Sequence, residues 1–475
     1  MSDPTQMSDP TQWTLVEASD AVSSKQISAR ELAEACIAKS EKLQPTLNCL
    51  ISLDADGALD EADAADTALA RGDAIGPLHG VPLAHKDMFY RAGKVSTCGS
   101  KIRKDFLPDH TATVLQRLAA AGALHMGGLN MSEFAVGPFG HNEHWGHCRN
   151  PWNPEHVTGG SSSGSGSAVG GRLVFGALGS DTGGSVRLPS ACCGLVGMKG
   201  TQTRVSRYGV MGLSFSLDNV GPLTRTVRDN ARMMAIIAGA DPNDLTAANV
   251  PVDDYEAATI DAQVKGLRIA VPSNHYYDGA SDDVRALMEA SLKVFESLGA
   301  TLVTVEVPDH DILPDLAIAL RGPEGAVLHQ AWMRDRPQDY GAQVKARLEP
   351  GLAISATEYV TSQQIRPKIT QRFVDAVFAE ADVFHAPTIN IPVPSIADTD
   401  VKASPNFPAV VAGMVHCTHP INYLGLPSLA VPAGFAQNGL PVSFQLIGRP
   451  YAEATLYRAA AAFEMETRFF ETAPS

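Results

Sequence analysis

Apolar residues recur at helical spacing over residues 26–43, where Leu32, Cys36 (or Ala35) and Leu43 fall on one stripe and Ser28 with Glu31 fits a capping box. The Ala- and Asp-rich stretch 54–71 and residues 111–121 also read as helices. Between them a Gly/Pro turn leads into the short apolar run Val81-Pro82-Leu83-Ala84, which ends at Lys86, and residues 124–128 form a second short apolar segment. Residues 159–185 are dense in Gly and Ser, a composition that in isolation makes a flexible linker. Here it is interrupted by Ala168-Val169 and by the apolar run 173–178, which predicts a buried Gly/Ser loop, a helix and a strand. Further on, 267–271, 283–297 and 301–305 read as strand, helix and strand, closed by Gly299 after the helix. A helix is predicted at 370–380, followed by an apolar run from Val383-Phe384 to Ala386-Pro387-Thr388. Strands are predicted at 429–431 and 442–447 with Asn438-Gly439 at the turn, and a closing helix at 453–466. Strands alternating with helices mark an α/β architecture. No linker divides the chain, so 13–475 reads as a single domain. The hexamer MSDPTQ stands twice in tandem at 1–12 and reads as a tag-like segment outside the fold.

Composition narrows the function classes. The 475 residues are 44% hydrophobic and 19% charged, as in a globular protein with a sizeable core. The net charge of −15 and the absence of a basic patch argue against direct nucleic-acid binding, which rests on phosphate contacts. The longest basic cluster, Lys101-Ile102-Arg103-Lys104, reads as a solvated turn. No secretory signal and no apolar run of about 18 residues appear, so a cytoplasmic location without a membrane span is expected. Seven scattered cysteines without zinc-type spacing fit reduced thiols. A homodimer is left open.

Chemistry concentrates in two segments. The first is Gly80-Val81-Pro82-Leu83-Ala84-His85-Lys86-Asp87. The second runs from Thr158-Gly159-Gly160-Ser161-Ser162-Ser163-Gly164-Ser165-Gly166-Ser167 to Gly179-Ser180-Asp181-Thr182-Gly183-Gly184-Ser185-Val186-Arg187. A serine hydroxyl is a weak nucleophile near neutral pH and needs a base. A lysine serves as one only when neutral, which burial favours by lowering its pKa. Lys86 follows an apolar run, as a semi-buried amine would. Gly183 and Gly184 lack side chains, so N–H groups around Thr182, Gly183, Gly184 and Ser185 can converge on an oxyanion. Taken singly, Lys86 reads as a surface lysine and Ser185 as a turn serine.

Together these segments closely resemble the amidase-signature family. Asn150-Pro151-Trp152, Val205-Ser206-Arg207-Tyr208-Gly209, Gly221-Pro222-Leu223-Thr224-Arg225-Thr226 and Gly439-Leu440-Pro441 extend the likeness over about residues 28 to 466. The resemblance implies a mixed, twisted sheet of about eleven strands covered by helices on both faces. It implies a catalytic triad of Lys86 as base, Ser161 as the bridging serine after a cis Gly160–Ser161 bond, and Ser185 as nucleophile. It also implies an Asp181–Arg187 ion pair that holds the loop, and no metal or cofactor. Ser162 either supports the triad by a hydrogen bond or lines the loop. Ser163 stands where the family often has glycine. Met131, Gly160 and Arg347 are candidate substrate contacts. Arg347 resembles a position that glutamine-using relatives employ for a substrate carboxylate, although a surface arginine is at least as good a reading.

Other clusters have plainer readings. His141, His144 and His147, followed by Cys148, suggest a metal site only if they share a helix, and Pro138, Gly140 and Gly146 argue for a loop. Cys192-Cys193 fits packing better than a thiol nucleophile. His85 either tunes Lys86 or points away from it in a strand. The expected activity is hydrolysis of a small-molecule carboxamide, anilide or carbamate, with specificity in variable loops within 130–147 and 310–420. One alternative is the glutaminase subunit of an aminoacyl-tRNA amidotransferase, which needs a partner chain. The other is a non-catalytic binding protein on this fold.

Overall fold

The structure, a computed structural model, describes residues 9–474. Its frame is one 11-stranded sheet. In chain order the strands are β1 (Leu50–Leu53), β2 (Pro82–Lys86), β3 (Leu124–Leu129), β4 (Gly176–Asp181), β5 (Val196–Lys199), β6 (Asn219–Thr224), β7 (Arg268–Pro272), β8 (Thr301–Val305), β9 (Val383–Pro387), β10 (Ser428–Phe435) and β11 (Pro441–Ile447). Across the sheet they lie β1-β3-β2-β4-β6-β5-β10-β11-β9-β7-β8. Parallel pairs occur where a helix makes the crossover, as in β7–β8 around the helix Asp282–Ser297 and in β2 with β3 and β4. The hairpin of β10 and β11 turns at Gly439, whose φ of +76° suits glycine. Every residue of β2, β4, β5, β6, β9 and β11 is buried. Successive strand side chains point to opposite faces, so the centre of the sheet is covered on both sides.

The patterned segments fold as read. Ser28 and Glu31 form the capping box of the helix Ala29–Leu47, with Leu32 and Cys36 buried and Leu43 half-buried. The Gly/Ser stretch is a buried loop, the helix Ser163–Gly170 and β4. Three expectations need correction. The stretch 310–420, within which variable loops are expected, also holds the long helices Leu313–Asp335 and Ala356–Val377, so the helix expected at 370–380 begins at 356. Pro323 and Pro367 sit inside them, each removing one helical donor, which is why a reading by pattern starts the second helix only at 370. The strands β1, β5 and β6 were not expected; β6 carries Pro222 and Gly221 in a central position, a composition that argues against a strand. Finally, the tag-like segment reaches into the fold. Residues 1–8 lie outside the described residues, but Asp9 caps a turn at Pro10–Gln12, Thr11 is buried, and the Thr11 carbonyl accepts from Arg225 Nη1 at 2.8 Å.

All seven cysteines are free and buried. Among the described residues no helix is long and apolar enough to cross a membrane.

Candidate active site

The site forms where β2 and β4 end side by side. Lys86 is the last residue of β2, in register with Leu129 of β3, and is 1% exposed. Its Nζ lies 2.8 Å from Ser161 Oγ and 2.8 Å from Ser180 Oγ. Burial disfavours the ammonium form and lowers the Lys86 pKa to about 7, against the opposing pull of Asp218 and Asp181. A neutral amine keeps a lone pair, so an N–H directed at Ser180 leaves that lone pair for the Ser161 proton. Ser161 stands in the loop ahead of the helix Ser163–Gly170, after a cis Gly160–Ser161 bond. That loop reaches the sheet only because side chains are absent where it passes. A Cβ on Gly164 would stand 2.4 Å from the Cys49 carbonyl oxygen. Ser162 Oγ is 3.3 Å from both the N and the O of Ser180, so it ties the loop to β4 rather than touching the triad.

Ser185 sits between β4 and the helix Arg187–Cys193, in a loop organised by Asp181. The Asp181 carboxylate accepts from Gly184 N at 2.7 Å, Val186 N at 3.2 Å, Arg187 Nε at 3.1 Å and Asn422 Nδ2 at 2.8 Å. Burial by itself would raise this carboxyl, but the adjacent Arg187 charge, with Lys199 and Asn422, holds it well below the usual range. Arg187 in turn reaches Gln445 Oε1 at 2.9 Å and Asn422 Oδ1 at 2.6 Å. Both partners are fully buried. Replacing Arg187 by Met leaves a buried carboxylate uncompensated, and we expect a loss of about 3–5 kcal/mol in folding free energy, read from urea denaturation.

This network corrects one expectation about the oxyanion donors. The Gly184 N–H is spent on Asp181, so it is not free to serve an oxyanion. The N–H groups of Thr182, Gly183 and Ser185 have no hydrogen-bond acceptor among the described residues, and these three residues line a cavity of about 100 Å³. Gly184 is needed for another reason. Its φ is +124°, and a Cβ there would lie 2.5 Å from Thr418 Oγ1. The Ser185 side chain is half-buried at the cavity wall and, among the described residues, makes no hydrogen bond to Ser161 or to any other group. Of the three expected triad members, the structure therefore joins Lys86 to Ser161 and leaves the Ser161–Ser185 link unmade.

The remaining expected residues separate clearly. Arg347 lines the cavity with Arg321 and His419, so it is not an independent surface arginine. Met131 is fully buried against Gly99 and does not reach the cavity; its carbonyl accepts from Asn142. Gly160 packs against the backbone of Gly137 and Gly140 and is likewise outside the lining. His85 points away from the site, its Nδ1 accepting from Leu178 N at 3.1 Å and its ring facing His125. His141, His144 and His147 lie in a loop and bond to Thr399, Glu133 and Asn142, and among the described residues no cluster suited to a metal ion occurs. Burial raises the thiol pKa of Cys192 and Cys193, as packing residues require.

Ser180, Thr418, Asn422, Arg321 and His419 belong to the site and were not anticipated. Ser180 stands within the Gly179-Ser180-Asp181 run and was within reach of a reading of that motif. The others come from residues 313–335 and 418–422, where nothing local distinguishes them from ordinary helix residues.

The chain is similar to known proteins over nearly its whole length. A family model described as Amidase matches residues 31–457. The A subunit of the glutamyl-tRNA(Gln) amidotransferase of Moorella thermoacetica is 40% identical, over 97% of this chain and 98% of that protein. Among solved structures, a chain from work on a vestigial protein complex and the evolutionary origins of an s-triazine catabolic enzyme superposes with a TM-score of 0.90. It is 32% identical over 96% of this chain and 99% of that one. A bacterial aryl acylamidase of the amidase-signature enzymes gives a TM-score of 0.86 at 26% identity, over 97% and 98% of the two chains.

Proposed function

Because this chain belongs to the amidase-signature family, whose members hydrolyse carbon–nitrogen bonds other than peptide bonds, we propose that it hydrolyses a small-molecule amide through an acyl ester on Ser185. The observation that carries this reading is the buried, near-neutral Lys86 amine at 2.8 Å from Ser161 Oγ. Ser185 Oγ attacks the scissile carbonyl while its proton passes to Ser161, whose own proton passes to Lys86. The developing oxyanion takes the N–H groups of Thr182, Gly183 and Ser185. The C–N bond then breaks, and the leaving amine takes the proton back along the same relay. Water enters, gives a proton to the relay, cleaves the acyl ester and restores Ser185. The Ser161–Ser185 contact is the one link substrate binding must complete. Such links commonly tighten only when substrate is bound. Asp181 and Arg187 hold the loop and transfer nothing.

A second reading, glutaminase component of a tRNA-dependent amidotransferase, is favoured by the 40% identity to the Moorella thermoacetica amidotransferase chain over nearly the full length of both. The chemistry at Ser185 is the same in both readings. They differ in the amide consumed, in whether a partner chain is needed, and in the fate of the ammonia. Quenching a reaction of a slow amide or ester substrate and mapping the protein by mass spectrometry tests the shared chemistry. An acyl adduct on the peptide holding Ser185 is expected; an adduct on another residue, or turnover without any adduct in a rapid-quench series, removes the acyl-serine mechanism. Ammonia release from glutamine, measured with and without a partner chain, separates the two readings.

A further inference from the structure

Successive peptide groups of the oxyanion loop are not held alike. The Asp181–Thr182 peptide is tied at its carbonyl, which accepts from Asn422 Nδ2 at 3.1 Å and from Asn219 Nδ2 at 3.3 Å. The Gly183–Gly184 peptide is tied at both ends. Its carbonyl accepts from Thr418 Oγ1 at 2.8 Å, and its N–H donates to Asp181 Oδ1 at 2.7 Å. The Thr182–Gly183 peptide between them has no tether of its own: among the described residues neither the Thr182 carbonyl nor the Gly183 N–H makes a hydrogen bond. A side chain at 183 could not fix it either, because a Cβ there would stand 2.7 Å from the His419 ring. Yet this peptide supplies the Gly183 N–H, one of the donors open to the cavity.

What remains to hold it is the side chain of Thr182. Thr182 Oγ1 donates to Asp218 Oδ1 at 2.5 Å, and Asp218 Oδ2 accepts from Leu213 N at 2.8 Å and Ser214 N at 2.9 Å. Donors on both oxygens suit an ionised carboxylate, which only accepts. Asp218 is itself anchored. Its N–H donates to the Ser214 carbonyl at 2.8 Å, and the next residue, Asn219, opens β6 in register with Asp181. Asp218 is not part of the catalytic cavity's lining; it borders a separate pocket with Tyr208, Phe215 and Leu328. It therefore reaches the oxyanion donors through Thr182 and not through substrate.

We propose that Asp218 is a positioning residue for the oxyanion cradle: by holding Thr182 it fixes the peptide whose Gly183 N–H meets the developing negative charge. This rests on the acyl-Ser185 reading and adds to it a residue outside both catalytic runs. A donor stabilises the transition state best when it is already aimed, whereas a peptide free to rotate must be ordered during the reaction. The effect belongs to kcat, because the donor is needed more by the oxyanion than by the substrate carbonyl.

Three variants carry the test. Thr182→Val keeps the shape and removes the hydroxyl, Thr182→Ser keeps the hydroxyl, and Asp218→Asn removes the charge that accepts from it. All are assayed at about pH 9, where Lys86 is neutral and the pull of Asp218 on its ammonium form drops out. The substrates are 4-nitroacetanilide and 4-nitrophenyl acetate, counting only the rate that Ser185→Ala loses. Thr182→Val should lower kcat about 30-fold, less than the roughly 10²–10³-fold of a donor lost outright, with KM within about threefold. Thr182→Ser should recover most of that loss, and Asp218→Asn should match Thr182→Val. The double variant Thr182→Val/Asp218→Asn should be no slower than the worse single, as for two groups that act through one contact. An unchanged kcat, a loss confined to KM, no recovery in Thr182→Ser, or additive losses overturn the proposal. A second measurement needs no turnover. In 15N-glycine-labelled protein the order parameter of the Gly183 N–H should fall from near 0.85 to below about 0.6 in Thr182→Val, while that of Gly184 holds. If the wild type shows no Ser185-dependent rate on either compound, it is the acyl-serine reading that fails, and relaxation decides the tether by itself. A Gly183 N–H as rigid in Thr182→Val as in the wild type overturns the proposal whatever the rates.

Discussion

Ser185→Ala is expected to lower turnover by on the order of 10⁶-fold, the scale seen when the nucleophile is removed from a serine hydrolase, while leaving the thermal midpoint where it was. The two halves of this result depend on the same feature. Among the described residues the Ser185 hydroxyl makes no hydrogen bond, and it is half-buried at the cavity wall, so deleting it strands no buried partner. A loss of activity with intact stability therefore reports on chemistry alone. Arg187→Met should differ by losing stability as well as activity, because Arg187 is fully buried among acceptors from four residues and, with Asp181, holds the loop that carries Ser185. Activity of Ser185→Ala within about 100-fold of the wild type would point to another nucleophile. The cysteines are poor replacements, since all seven are buried and free and the thiols of Cys192 and Cys193 are pushed away from the thiolate. A protein that only binds its ligand would give a different pattern again: wild type and Ser185→Ala would bind alike, and neither would turn over.

How far the sequence reveals this site depends on how local each contribution is. Lys86, Ser161, Asp181, Ser185 and Arg187 lie in two runs whose composition is unusual, so motif and chemistry agree on them, and the structure places them along the adjacent edges of β2 and β4. Hydrogen-bond commitments are not visible in a motif. Gly184 and Gly183 look equivalent in Thr182-Gly183-Gly184-Ser185, yet one N–H is held by Asp181 and the other is free to face substrate. Long-range contributions leave no local trace either. Asn422 is brought to Asp181, and Arg321 and His419 to Gly183, by helices more than a hundred residues further along the chain. The same holds for the fold. Periodicity finds the helix Ala29–Leu47 and the β10–β11 hairpin, where turn and capping residues agree with the pattern. It misses β6, whose Gly221 and Pro222 argue against a central strand although the strand lies between β4 and β5, where the Pro222 carbonyl accepts from Asn230.

Lys86→Met should lower turnover by roughly 10⁴-fold, and it should also remove the main pH dependence. The sign follows from the role. A base must be deprotonated, and burial lowers the Lys86 pKa to about 7, so the wild-type kcat/KM should rise about tenfold per pH unit below that value and level off above pH 8. Methionine keeps the length and the apolar stem without the amine, so the site stays filled and Ser161 keeps its place in the loop. The variant is essential to assigning the ionisation, because Lys86 is not the only group that titrates there. Lys199 at the end of β5 is equally buried, its pKa is also lowered to about 7 by burial and by Arg187, and among the described residues its Nζ donates only to the Gly200 carbonyl. It lies near enough to feel the Asp181–Arg187 pair, so its ionisation can reach the nucleophile loop through that pair without touching substrate. If residual activity in Lys86→Met is flat from pH 6 to 9 while Lys199→Met retains the wild-type inflection, the proton belongs to Lys86. If the inflection persists in Lys86→Met and disappears in Lys199→Met, the loop is what titrates, and Lys86 is a structural amine holding Ser161 and Ser180 rather than the base.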